Sequence, residues 1–426
     1  MNPLVAVIAD DLTGVCDTGS QFASAGLRTI GSVTQEFKSE TIPHVLLVNT
    51  QSRSLEGREA SLVIQQTATE LKIFEPKRFF KKIDTALRGN IAIEVLSMME
   101  ALGVRTVLYA AAIPGAGRTT VNGCQFFRGV PIKDSIHGED RLNPNLISTS
   151  SNIELFSKIP KLNIESITLD KVRSGNLNIV ERCRDESGTI LIFDSETDDD
   201  LDTIVRASMK MEPSSFLYVG SFGLSSALGR YLADSLRITK KQNEGLNRKT
   251  VSFRKRKVLV VSGSSHPMAR AQISYLEKKG IAEIVQFEPE DLMEHPESCV
   301  TEAVRTFQTT MDRQNTILLT IGEGRSGIRR QSQELVIALA KIVRSLLESD
   351  EVDGLVLIGG ETGYAVCRAV GIERIEILGS VSFVAAYGTP EGSPLNIKLL
   401  ATKGGSLGEE DILEKILNFV DAQVCH

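Results

Sequence analysis

Short runs of Val, Ile and Leu that end in Gly, Ser, Thr or Asp alternate along this chain with longer stretches whose apolar residues recur at helical spacing. In the first half the runs predict strands at 4–9, 28–33, 45–49, 79–83, 104–110, 189–194 and 216–219, with helices between them, among them 57–71 and 91–102. Apolar runs separated by helices are what a parallel sheet covered on both faces requires. From 114 to about 152 the pattern lapses into Gly, Pro and polar residues, too long for an ordinary connection, and predicts a functional excursion with hairpins. The second half repeats the alternation with strands at 257–261, 281–287, 316–321, 354–358, 374–378 and 397–401 and a helix over about 328–347. Between the halves, residues 240–257 are polar and basic, with Arg254, Lys255, Arg256 and Lys257 in a row, and read as a solvated linker. No repeat of short fixed period is present. The expected architecture is α/β: two doubly wound domains with mostly parallel sheets and an active-site cleft between them, one over 1–245 and the other over 246–426.

The length of 426 residues agrees with two or three domains. With 42% apolar and 24% charged residues, the composition excludes a disordered chain or a fibre. Lys and Arg total 48 against 54 Asp and Glu, a net charge of -6, which removes the basicity that non-specific nucleic-acid binding needs. The longest apolar runs fall far short of the roughly 20 residues that span a bilayer, so no membrane span is expected. The start does not read as a signal peptide. Six cysteines scattered tens of residues apart suit neither a disulfide framework nor a zinc site, which points to reduced thiols and a cytoplasmic location. His266 has no second histidine near it, so any metal is expected to be oxygen-bound, its ligands unknown. A homodimer is compatible with all of this, although no interaction face can be assigned.

Ligands of open parallel sheets gather at the carboxyl ends of the strands. In the second half four strand-to-helix junctions are rich in small residues: Ser262-Gly263-Ser264-Ser265, Gly322 to Gly327, Gly359-Gly360-Glu361-Thr362 and Lys403-Gly404-Gly405-Ser406-Leu407-Gly408. Glycines let backbone amides approach an anion closely, and hydroxyls add donors and cap helices. One such junction is an ordinary capped turn; several in one domain favour a polyphosphate pocket. Two of them mimic other motifs. Gly322 to Gly327 fits the dinucleotide fingerprint, but the acid about twenty positions on, Glu348, precedes the next strand instead of ending it. Gly404 to Gly408 fits the hydrolase elbow, but only the terminal His426 follows Ser406 to complete a triad. The P-loop string is absent.

In the first half the strand ends carry charge: Asp10, Asp11 and Thr13; Gln51, Ser52 and Arg53; Lys81, Lys82, Ile83, Asp84, Thr85 and Arg88; then Arg118 and Gly220-Ser221. Arg and Lys among carboxylates suit a small polyhydroxylated acid, the cations taking its carboxylate and the aspartates its hydroxyls. Mutual salt bridging is the alternative for 81–88. Asp10 and Asp11, adjacent after an apolar strand, repel each other unless a cation or donor compensates.

Together these residues resemble the four-carbon acid sugar kinases, the family of D-threonate, D-erythronate and 3-oxo-tetronate kinases. The likeness spans nearly the whole chain. It is carried by Ala9-Asp10-Asp11-Leu12-Thr13-Gly14, Ser52-Arg53, Lys81-Lys82-Ile83-Asp84, Leu87-Arg88-Gly89-Asn90 and Gly117-Arg118-Thr119-Thr120. Gly220-Ser221, Ser262-Gly263-Ser264, Gly359 to Thr362 and Thr402-Lys403-Gly404-Gly405 complete it. Val48-Asn49-Thr50 and Ala111-Ala112-Ile113-Pro114 look most like the D-threonate branch. The sequence departs from the family's usual pattern at Thr85-Ala86, at Leu407 and over 380–394.

The resemblance implies an acid-sugar domain followed by an ATP domain, and transfer of a phosphoryl group to the acid's 4-hydroxyl with Mg²⁺ and ATP. It places Asp11, Arg53 and 82–85 on the substrate, and Ser264, 360–362 and Gly405 on ATP. Phosphoryl transfer needs placement and charge neutralisation, which the glycine loops, Lys403 and Mg²⁺ could supply. Asp11 is expected to orient or deprotonate the accepting hydroxyl, with Asp84 as the second candidate. A nicotinamide-dependent hydroxy-acid dehydrogenase and a non-catalytic sugar-acid sensor are the alternatives.

Overall fold

The computed structural model describes residues 2–138, 147–182, 188–238, 256–310, 314–324 and 332–423. The chain divides into two compact units, Met1–Gln242 and Asn243–His426. The expected boundary near 245, Arg254, Lys255, Cys183, Cys425 and His426 lie outside the described residues. No disulfide joins Cys16, Cys124, Cys299 and Cys367. Among the described residues no helix is long and apolar enough to cross a membrane.

In the first unit the chain lays down β1 (Val5–Ala9), β2 (Thr29–Ser32), β3 (Val45–Asn49), β4 (Arg78–Lys82) and β5 (Thr106–Ala110). Three short strands follow, β6 (Arg118–Val121), β7 (Cys124–Phe127) and β8 (Val130–Pro131), and then β9 (Asn163–Ile167), β10 (Thr189–Phe193) and β11 (Phe216–Gly220). The main sheet runs β2-β3-β1-β4-β11-β5-β10-β9, and its neighbours are parallel throughout. β1 is buried along its whole length because helices cover both faces, which explains its unbroken apolar run. On one face Ala6, Ile8, Leu46, Val48, Val107 and Tyr109 join a core with Ile64, Ala68, Val95 and Met98 from the helices Gly57–Leu71 and Ile91–Leu102. The chain goes from β1 out to β2, comes back to β3 beside β1, and then crosses to β4 on the other side of β1. This reversal opens a crevice at the carboxyl ends of the central strands.

The excursion after β5 holds a small antiparallel sheet, β6-β7-β8, as the lapse in patterning predicted. β9 was not predicted. It is an edge strand with Asn163, Glu165 and Ser166 on it, so it lacks an apolar run.

The second unit contains β12 (Val258–Ser262), β13 (Glu283–Phe287), β14 (Thr316–Ile321), β15 (Val352–Ile358), β16 (Arg374–Val381), β17 (Ala385–Glu391) and β18 (Ile397–Lys403). Their order is β13-β14-β12-β15-β18-β17-β16. The first five are parallel, and β17 runs antiparallel to both neighbours. β17 was also not predicted, since Gly388 and Pro390 interrupt its pattern. Its core gathers Val258, Val260, Leu318, Val356, Ile358 and Ala401 against helices Pro267–Lys279 and Ile412–Gln423.

Candidate active site

Asp10 and Asp11 leave the end of β1. Asp11 caps the helix Leu12–Ser24, accepting from the Gly14 amide at 2.6 Å. Arg53, past the end of β3, supplies the compensating cation that two adjacent acids demand. Its Nε and Nη2 donate to the two oxygens of Asp10 at 2.7 and 3.0 Å, and its Nη1 lies 2.7 Å from Asp11 Oδ2. Burial pushes the Asp10 carboxyl up, but Arg53 and Lys81 outweigh it and hold the group below the ordinary carboxylate range.

At the end of β4 and in the loop after it the charges are again paired, but buried instead of on the surface. Lys81 and Glu94 meet at 2.7 Å with side chains 0% and 2% exposed. The Lys82 ammonium donates to the Ile83 carbonyl at 2.7 Å, and burial lowers its affinity for a proton despite Asp10 and Asp11. Ile83 is buried and its amide donates to the Gly220 carbonyl at 3.1 Å, tying the loop to the end of β11. Arg88 grips Asp84 with two nitrogens, at 2.5 and 3.2 Å. Burial opposes ionisation of Asp84, yet Arg88 and Arg53 hold it well below the usual range. Thr85 Oγ1 accepts from Nη1 of Arg118, which stands at the start of β6. Asp10, Asp11, Arg53, Lys82, Ile83, Asp84, Thr85, Arg88 and Arg118 are thus brought to one edge of one sheet.

Two participants escaped sequence reading. Glu94 sits on the buried face of Ile91–Leu102 beside Ile91, Val95 and Met98, an acid at an apolar position, which is a legible sign of a buried partner. His137, whose Nε2 lies 3.4 Å from Arg118 Nη2, comes close only through the fold.

In the second unit Ser262, Ile358 and Lys403 end adjacent parallel strands in register, so the three loops that follow start side by side. The Gly263 amide donates to Thr362 Oγ1 at 3.1 Å. Gly359 adopts a φ of 98°, which favours glycine, and no side chain caps the helix Gly360–Ala369 behind it, with Glu361 and Thr362 in its first turn. A Cβ on Gly405 would overlap Ser264 Oγ, so backbone approaches side chain closely here. Ser262, Ser264, Gly359, Gly360, Glu361, Thr362, Gly404 and Gly405 thereby frame one cradle of backbone and hydroxyl groups suited to phosphates. Lys403, expected to face the anion, is instead fully buried, its ammonium donating to the Gly404 and Leu407 carbonyls at 2.6 and 2.9 Å. It shapes the loop from within.

The dinucleotide mimic finds no support, and the hydrolase elbow turns on His426, outside the described residues. At the end of β14 the Gly324 amide donates to Glu288 Oε2 at 3.2 Å, placing a carboxylate where a dinucleotide fingerprint would take phosphate; residues 325–327 lie outside the described residues. Glu348 lies within the helix Ser332–Ser349 and pairs with Arg344 at 2.7 Å. His266 caps Pro267–Lys279, its Nδ1 accepting from the Met268 amide at 3.1 Å. Among the described residues no group of three or more His, Cys, Asp or Glu is placed to hold a metal.

Comparison with known proteins agrees with this division of labour. Residues 5–228 match a family model described as a sugar-binding N-terminal domain, and residues 259–413 one described as a nucleotide-binding C-terminal domain. A D-threonate kinase of Salmonella typhimurium is 30% identical, covering 98% of this chain and 99% of that protein. A D-erythronate kinase of Heliobacterium modesticaldum is 26% identical over 96% and 94%. A solved structure from Salmonella typhimurium LT2, described as a putative tRNA synthase, superposes with a TM-score of 0.76 at 20% identity over 97% and 98% of the two chains, which establishes the fold alone.

Proposed function

Because the chain belongs to the four-carbon acid sugar kinase family, we propose that it transfers the terminal phosphoryl group of Mg-ATP to the 4-hydroxyl of a four-carbon sugar acid, D-threonate in preference to D-erythronate. The observation that carries this reading is the row of three loops beginning in register at the ends of β12, β15 and β18, in the unit that matches nucleotide-binding domains.

The cradle fits phosphates: a site that a single Cβ would fill, at Gly405, leaves backbone amides open to close approach. Ser264, Gly359 to Thr362 and Gly405 hold the nucleotide, and Lys403 keeps the last loop in shape. ATP would supply the phosphoryl group, and Mg²⁺ bound with it would supply neutralisation of the phosphate charge beside the loops of Ser264, Gly360 and Gly405.

On the acid's side, Asp11 accepts the proton of the attacking hydroxyl. Its carboxylate is fixed from both sides, by the Gly14 amide and by Arg53, so the acceptor is oriented before substrate arrives. Asp84 is the poorer base, since the forked Arg88, with Arg53, holds it well below the ordinary carboxylate range and so weakens its pull on a proton; it sets Arg88 and the loop to Thr85.

An ADP-coupled assay of the full-length chain with D-threonate, D-erythronate, L-threonate and their 3-oxo analogues tests the proposal. ADP formation greatest with D-threonate is expected. No ADP with any four-carbon acid, or thermal stabilisation by NAD or NADP in place of Mg-ATP, overturns it.

A further inference from the structure

The geometry points to Arg118 as the receptor for the substrate's carboxylate, with Arg53 holding the two aspartates instead. This deepens the kinase reading and rests on it only for the identity of the acid. Cations near a sugar-acid site are ordinarily all candidates for the carboxylate, but here most are already committed. Arg53 spends its three terminal nitrogens on Asp10 and Asp11. Arg88 is forked onto Asp84, Lys81 is paired with Glu94, and Lys82 is turned onto the Ile83 carbonyl.

Arg118 is different. It is 4% exposed, yet among the described residues its side chain bonds a hydroxyl and an imidazole, Thr85 Oγ1 and, at 3.4 Å, His137 Nε2, and no carboxylate. Among the described residues its Nε is buried with no hydrogen-bond partner. A buried guanidinium with no carboxylate in contact is costly: Asp84 and Asp17 act on it from a distance, but burial outweighs them and pulls its affinity for the proton down to about 10. A carboxylate ligand supplies the missing contact, and the planar Nε–Nη edge matches it bidentately. The residue is also rigidly presented. Its amide and carbonyl exchange hydrogen bonds with Ile113, at 3.0 and 2.8 Å, so the turn from β5 into β6 fixes the base of the side chain. Thr85 holds its tip beside the loop of Asp84. The site therefore divides the acid between two arms: aspartates fixed by Arg53 for the hydroxyl end, and Arg118 for the carboxylate end.

The test is binding of D-threonate and its neutral amide, D-threonamide, to the full-length chain without ATP, by calorimetry and thermal shift. The wild type should prefer the acid. Arg118→Met should lose that preference by about 100-fold or more, bringing the two affinities together, while Arg118→Lys retains part of it. Arg53→Lys should weaken acid and amide alike. The ligand-free melting temperature of Arg118→Met should be no lower than that of the wild type, because a buried charge that touches no carboxylate has been removed; a purely structural role would lower it and leave the preference intact. Retention of the acid preference in Arg118→Met, or no preference in the wild type, overturns the inference. Acid-selective binding that depends on Arg118, with no ADP formed from any four-carbon acid, sinks the kinase reading and leaves this one standing. ADP formation with the preference unchanged in Arg118→Met does the reverse.

Discussion

Asp11 does two jobs with one carboxylate, capping a helix and facing the site, and the two are separable. Asparagine caps as well as aspartate does but gives up the charge on Arg53, so Asp11→Asn should cost no more than about 1–3 kcal/mol of unfolding free energy while lowering kcat about 10²–10⁴-fold. Denaturant melts and the ADP assay at saturating acid check this, and wild-type turnover would remove Asp11 as the base. The Lys81–Glu94 pair predicts the opposite pattern. Glu94→Gln strands a fully buried ammonium and should cost about 3–5 kcal/mol of stability, measured by urea unfolding; a loss under 1 kcal/mol, on the order of an exposed pair, would mean the pair is not sealed from water. Asp84 sets a pH dependence. Its folded carboxyl lies below the ordinary 3.8, so the stabilisation is complete above that value and is lost as pH falls through it toward the folded one. Below about pH 4 the wild type should therefore lose stability more steeply than Asp84→Asn, read from urea midpoints across the acid range.

At the scale of elements, the phosphate cradle depends on loops that start level, and the tightest point is Gly405. Gly405→Ala drives a methyl group into Ser264 Oγ and should raise the KM for ATP at least about tenfold, with the KM for the acid unchanged; equal shifts in both would place Gly405 outside the nucleotide site. Much of this was legible beforehand. The helices Gly57–Leu71 and Ile91–Leu102 carry 3.6-residue periodicity, interrupted at Glu94, and buried parallel strands such as β1 and β10 announce themselves as apolar runs. β9 and β17 did not, because an edge strand tolerates Glu165 and Ser166, and β17 is held by neighbours on both sides in spite of Gly388 and Pro390. The acids after β1 required a cation, but nothing in the sequence could say that Arg53 would be consumed by them, or that Arg118 would meet Thr85 and His137. Those facts depend on where loops remote in sequence are carried by the sheet. Lys403 shows the same limit: a lysine ending a strand inside a glycine-rich loop reads as a phosphate ligand, and only the fold shows its ammonium on the carbonyls of its own loop.

For the molecule as a whole, the two compact units are assigned different ligands, and hydrogen exchange on the full chain can read them separately. Mg-ATP should protect amides of 262–264, 359–362 and 404–405, and the acid those of 11–14, 53 and 82–85. Protection by Mg-ATP confined to the first unit would overturn the assignment. The position of β11 has a further consequence. Residues 216–220 form a central strand that slots between β4 and β5, both made more than a hundred residues earlier. A nascent chain still short of residue 216 therefore carries two unsatisfied strand edges in the middle of its sheet, and the first unit cannot finish folding until nearly all of it has left the ribosome. During that interval the growing polypeptide is a natural client for chaperones, and slowed translation between β5 and β11 would lengthen its exposure to aggregation.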